Sequence, residues 1–186
     1  MIYKSKEFIL KDGTKVVFKT PEVEDAKKLL NHIIAVASST NNLLSEPKDF
    51  QKYLDDISLE EKYINSAREG KNYTIAVYVQ ERIVGVCSLD FHTHQKDQHR
   101  ARVGIAIQKD YQDKGIGSLL FDELIRLAKE TEGIEQLELD VISTNEMAKH
   151  LYRKKGFVKV GDIPHQLKLK DGTYLNGESM VLFLNK

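Results

Sequence analysis

Residues 101–128 read A-R-V-G-I-A-I-Q-K-D-Y-Q-D-K-G-I-G-S-L-L-F-D-E-L-I-R-L-A, and the hydrophobic period changes part-way along them. Ala101 to Ile107 has the apolar, β-branched character of a strand, and Lys109 to Lys114 is a polar connection. From there Ile116, Leu119, Leu120, Leu124, Leu127 and Ala128 fall on one face of a helix. The turn between them, Gln112-Asp113-Lys114-Gly115-Ile116-Gly117, carries its glycines at the mouth of that helix. Successive backbone N–H groups can converge only where no Cβ clashes, and with a helix N-terminus they make a positive cradle for phosphate. Such a cradle suits a pyrophosphate, and Lys114 could add charge at its rim. The competing reading is a plain capped start to a helix. Two common nucleotide loops do not fit: Ser118-Leu119 stands where a P-loop needs Lys-Ser/Thr, and Leu120 takes the place of the third glycine of a dinucleotide fingerprint.

Upstream, β-prone runs on either side of Asp12-Gly13 predict a hairpin, Glu7–Leu10 and Lys15–Thr20. Thr20-Pro21-Glu22 offers a cap, a proline at the first helical position and an acidic first turn to a helix carrying Val23, Ala26, Leu29, Leu30, Ile33 and Ile34. A second helix is expected from the capping box Ser58-Leu59-Glu60-Glu61 to Gly70, with an irregular polar stretch from Ser38 to Phe50 between the two. Asn72–Gln80 and Ile83–Phe91 read as antiparallel neighbours. Downstream, Leu137–Ile142 reads as a strand, Asn145–Lys154 as a short helix stopped at Gly156, and Phe157–Val160 and Met180–Leu184 as strands. A loop around Asp171-Gly172, within the stretch Asp162–Asn176, connects that last pair. The order predicts a mixed α/β sheet.

The chain has 186 residues, 41% hydrophobic and 30% charged, so one compact domain over residues 1–186 is expected rather than disorder. Lys plus Arg total 28 and Asp plus Glu total 28, which leaves no global field for nucleic acid or an anionic membrane. Any anion site must be local. The single Cys87 can make no internal disulfide and reads as a small core residue. With no secretory signal or apolar run of membrane-spanning length, a cytoplasmic protein is expected.

A second constellation follows at residues 145–157, N-E-M-A-K-H-L-Y-R-K-K-G-F. Glycine turn, helix, strand, then Asn-x-x-Ala-x-x-Leu-Tyr-x-x-x-Gly-Phe resembles the GNAT superfamily of acyl-CoA-dependent N-acyltransferases, closely over residues 101–160 and by element order over most of the chain. The resemblance implies a mostly antiparallel sheet in which two parallel strands splay apart, flanked by about four helices. It implies acetyl-CoA as co-substrate, its pantetheine arm lying along Ile105, Ala106 and Ile107 and bonded by the backbone of Ile105 and Ile107. A strand N–H there would face the thioester oxygen and stabilise the oxyanion. Gln112, Asp113, Lys114, Gly115, Ile116, Gly117 and Ser118 would hold the pyrophosphate, Asn145 would touch the arm, and Lys154 would lie near the adenosine phosphates. Tyr152 matches the family's general acid: a phenol with a pKa near ~10 stays protonated and can serve the departing thiolate. Read from the residues alone, the alternatives are that Tyr152 is a core aromatic beside Leu151 and Phe157, and Asn145 a helix cap.

The function so implied is transfer of acetyl from acetyl-CoA to a primary amine of a small molecule or protein, by direct attack in a ternary complex. A non-catalytic acyl-CoA sensor or interaction module is the alternative, because Arg102 stands where relatives often carry a glutamate two residues before the strand glycine. Asp90, His92 and His94 are candidate bases acting through water, each also readable as a solvated loop residue. His92, His94 and His99 lack the carboxylates or cysteines of a metal set, and no metal is expected. Sheet edges in this fold often pair between subunits, so a homodimer fits.

Overall fold

The computed structural model describes residues 1–51, 53 and 56–184. Its elements are β1 (Lys6–Ile9), β2 (Lys15–Lys19), α1 (Ala26–Ala37), α2 (Pro47–Gln51), α3 (Ser58–Arg68), β3 (Asn72–Val79), β4 (Arg82–Phe91), β5 (Arg100–Ile107), α4 (Ile116–Glu130), β6 (Gln136–Ile142), α5 (Glu146–Lys154), β7 (Val158–Lys168) and β8 (Tyr174–Phe183). Single 3-10 turns precede α1 (Val23–Asp25) and α4 (Lys109–Tyr111). The hydrogen-bonded strand order is β1-β2-β3-β4-β5-β6-β8-β7, mostly antiparallel with β5 and β6 parallel. The chain divides into two compact units, one of Met1–Asp90 with Gly104–Leu120, the other of Phe91–Val103 and the residues from Phe121 onward.

In the first unit, β1 to β4 form an antiparallel series, with a bulge in β4 at Val84, opposite the Val77–Tyr78 step of β3. Its helices are laid on this sheet by apolar spacing: Ala26 and Leu29 of α1 and Ile64 of α3 close over Ala76, Tyr78, Ile83 and Val86. The start of α1 differs from expectation. Thr20 does not cap it, because its Oγ1 accepts the N–H of Tyr3 at 2.9 Å, a donor that burial would otherwise strand. The turn into α1 is closed instead by Glu22 and Asp25, with the Glu22 N–H donating to Asp25 Oδ2 at 3.2 Å. Similarly Ser58 lies inside α3, and Asp56 Oδ1 accepts its N–H at 3.0 Å. The stretch expected to be irregular contains α2, where Pro47 opens the turn and Asp49 Oδ2 takes the Glu46 N–H at 2.8 Å.

In the second unit, β5 runs parallel to β6 over three register pairs, Arg100↔Gln136, Ala101↔Leu137 and Arg102↔Glu138. Strand β6 then pairs antiparallel with β8, and β8 with β7. The expected loop over Asp162–Asn176 is mostly the two arms of this β7–β8 hairpin. The arms carry few apolar positions because β7 is an edge strand exposed along most of its length, so nothing demands the alternation by which strands are read.

Candidate active site

Strand β5 delivers the chain through Gln108 and the 3-10 turn to the glycine turn, and α4 begins at Ile116. Two residues of the turn are left-handed, Asp113 at φ 58° and Gly115 at φ 91°. A Cβ on Gly115 would meet nothing within 4 Å, so the glycine answers a demand of backbone conformation rather than of space. Ile116, 1% exposed, anchors the first turn of α4 in the core. The first intrahelical bond runs from the Leu119 N–H to the Gly115 carbonyl at 3.1 Å, which leaves the N–H groups of Ile116, Gly117 and Ser118 without an intrahelical acceptor. Donors, helix dipole and left-handed turn therefore meet at one place, with the chemistry of an anion cradle.

Side chains around the cradle are already engaged. Lys114 Nζ pairs with Asp12 Oδ2 at 3.1 Å and lies 5.5 Å over the Tyr111 ring. Bonds from Thr14 and then from Lys114 hold the Asp12 carboxyl down at about 2. Gln112 turns its side chain back onto the strand, its Nε2 donating to the Ile107 carbonyl at 3.0 Å. The half-buried Ile105, Ala106 and Ile107 thus join residues 112–118 in one continuous strand, turn and helix start.

Asn145, Tyr152 and Lys154 come together on α5. Asn145 caps it, its Oδ1 accepting the Ala148 N–H at 3.2 Å. The buried Lys149 ties the helix to its strand, donating to the Ser143 carbonyl at 2.5 Å and to Glu178 Oε1 at 3.2 Å. Tyr152 is 7% exposed, with its ring centroid 5.2 Å from Phe121 and 6.1 Å from Phe157. Burial pushes its phenol up to about 12, and its hydroxyl makes no hydrogen bond among the described residues. Lys154 is exposed in the last turn.

The candidate bases separate. His92 is bound to Glu138 at 3.0 Å and faces Asp97 at 3.4 Å, and Glu138 also receives Arg100. Arg102 is paired with Asp140, which in turn accepts from Ser179 Oγ at 2.7 Å. Asp90, at the end of β4, accepts only from Ser88 Oγ, at 2.6 Å, among the hydrogen bonds of its side chain. Sequence reasoning missed the surroundings of this carboxylate: burial, with the charge of Asp90 next, raises the phenol of Tyr63 of α3 to about 12. It also missed His32, a polar residue in an apolar run of α1, whose placement was the available signal. Cys87 is 1% exposed and burial pushes its thiol well up, as suits a core residue. No group of three or more metal-ligating side chains occurs among the described residues, nor any helix long and apolar enough to cross a membrane.

The profile of the acetyltransferase (GNAT) family matches residues 38–157. The chain belongs to the GNAT acetyltransferase family. It is 26% identical to the L-amino acid N-acetyltransferase AaaT of Escherichia coli over 98 residues, which are 53% of this chain and 60% of that protein, so the match spans well under two thirds of the relative. Its fold is that of a GNAT-family acetyltransferase from Streptococcus pneumoniae, with a TM-score of 0.82 at 24% identity over 90% of this chain and 99% of that one. It is also that of yncA from Salmonella typhimurium, a putative acetyltransferase solved with acetyl-CoA, with a TM-score of 0.77 at 16% identity over 92% and 95%. The GNAT architecture expected from the two motifs is therefore present, and acetyl-CoA or CoA is bound in several structures of this fold.

Proposed function

We propose that this GNAT protein transfers the acetyl group of acetyl-CoA to a primary amine by direct attack, the whole chain working as one acetyltransferase domain. The observation that carries the reading is the cradle: left-handed Asp113 and Gly115 opening onto three free N–H groups of α4, directly after a strand whose backbone suits a pantetheine arm. In this reading residues Gln112 to Ser118 grip the pyrophosphate and Ile105 to Ile107 line the arm. Gln112 must then leave the Ile107 carbonyl, and Lys114 exchanges Asp12 for phosphate. Asn145 touches the arm, and Lys154 meets the adenosine phosphates.

Tyr152 is the proposed acid. Its raised pKa keeps the proton on the phenol at neutral pH, and its hydroxyl is committed to no other group among the described residues, so it can donate to the thiolate as the C–S bond breaks. Asp90 is the proposed base, because the Ser88 hydroxyl orients it, whereas His92 is held against Glu138 and Arg102 is paired with Asp140. It takes a proton from the acceptor's ammonium, and the free amine then attacks the thioester carbon. The name of the Escherichia coli relative makes L-amino acids the first acceptors to try. Thiol release from acetyl-CoA across a panel of amines tests the function. Acceptor-dependent release is expected, whereas binding of acetyl-CoA with no release for any amine would favour the sensor reading that the buttressed Arg102 keeps open.

A further inference from the structure

His32 is 1% exposed on α1, in a chain where the mechanism gives it no task. Its Nε2 lies 3.2 Å from the Ala106 carbonyl on β5, and its Nδ1 lies 3.3 Å from Nε2 of Gln108. The same Gln108 nitrogen sits 3.2 Å from the Ile83 carbonyl, which only accepts, so this atom is the amide nitrogen and a donor. It must therefore donate to Nδ1, which leaves the imidazole proton on Nε2, where it is donated to Ala106. The bonds among Ala106, the ring, Gln108 and Ile83 are thus met by a neutral imidazole carrying its proton on Nε2.

The placement matters because of which edge of β5 it occupies. Along a strand the backbone groups of alternate residues face opposite edges. The Gln108 N–H bonds to Val84 of β4 at 3.0 Å, so Ala106 and Gln108 present their polar groups to the β4 edge, and Ile105 and Ile107 present theirs to the opposite edge. His32 thus supplies by side chain a bond to the β4-facing carbonyl of Ala106, while Gln108 joins the ring to Ile83.

We propose that His32 is a positioning residue for acyl-CoA: its neutral imidazole clamps Ala106 and Gln108 from α1, and so fixes the attitude of Ile105 and Ile107 toward the pantetheine arm. This rests on the acetyl-CoA reading above. Burial holds the ring neutral, with a pKa lowered to about 4 against the raising effect of the Ala106 and Ile83 carbonyls. No ionised side chain figures among those causes; Lys28, one turn earlier, is paired with Asp25 at 2.9 Å and with Glu81 at 3.8 Å.

The test is calorimetric titration of the full chain with acetyl-CoA. His32→Leu, which removes both bonds, should weaken binding about tenfold, the ratio that goes with one lost buried hydrogen bond. His32→Gln, which has a donor and an acceptor of similar reach, should recover most of it. Leu29→Ala, which hollows a cluster of α1, α3, β3 and β4 residues containing none from β5, should lower the melting temperature and leave acetyl-CoA affinity within about twofold. Long-range proton–nitrogen spectra should show His32 of the wild type protonated at Nε2 alone, while the other five histidines of the six are followed through their titrations. Equal affinity in wild type and His32→Leu, a loss of the same size in Leu29→Ala, or an Nδ1-protonated ring would each overturn the clamp while the acetyl-CoA reading stands. A wild type that does not bind acetyl-CoA removes the reading and the clamp together.

Discussion

Tyr152 shows how packing and chemistry can be separated in one side chain. Its ring belongs to a cluster with Phe121 and Phe157, so Tyr152→Phe keeps the contacts and deletes only the hydroxyl. We expect kcat to fall roughly a hundredfold with acetyl-CoA affinity little changed, since the lost proton donor acts in the transition state. Steady-state kinetics beside calorimetry check this, and unchanged turnover would remove the hydroxyl from the mechanism. Asp90→Asn should lower turnover about tenfold or more through loss of the proton acceptor. An Asp90→Asn enzyme with full kcat would return the role of base to water alone. Of these residues Tyr152 was legible because its motif is local, with Leu151 before it and Gly156-Phe157 after. That Asp90 is bonded to Ser88, while His92 and Arg102 go to Glu138 and Asp140, was not legible, because these pairings depend on the folded neighbours of each side chain.

The strand, turn and first helical residues around Gly115 act as a unit whose geometry is written nearly residue by residue. Gly115→Ala meets no steric obstacle, yet it must hold φ near 91°, at a cost of about 1 kcal/mol from the left-handed conformation. The expected result is a modest fall in stability by urea unfolding and a larger proportional loss of acetyl-CoA affinity, because relaxation of the turn would rotate the cradle's donors. Binding equal to wild type would show that the turn's conformation is not what holds the phosphates. Helix α5 is held differently, by Lys149 reaching Glu178 on β8. Lys149→Met should lower the urea midpoint and leave Glu178, among the described residues, with the more distant cation of Lys159, 3.9 Å away. Elements with a buried face announced themselves by period, as α1 and α4 did. The β7–β8 hairpin did not, since an exposed edge strand imposes no apolar alternation, and α2 was obscured because its five residues are too few for a period.

Acid stability of the folded chain offers a test that needs no ligand. His32 has a folded pKa of about 4 against an unfolded value near 6.5. As the pH falls below 6.5 the unfolded chain takes up a proton that the folded chain refuses, so stability drops until about pH 4, and below that this contribution is fully lost. The size is about 3 kcal/mol, from 1.36 kcal/mol for each pH unit of the shift. Urea titrations across that window should give a shallower slope for His32→Leu than for wild type. Parallel slopes would mean that the ring titrates normally in the fold. What the chain's order of residues settled was local: the glycine turn, the cap at Asn145, the apolar faces of the longer helices and the family motif, because each is a matter of backbone conformation or spacing within a few residues. Folding alone decided which charges pair and which imidazole meets a strand 74 positions away, because burial and pairing depend on neighbours that no local pattern names.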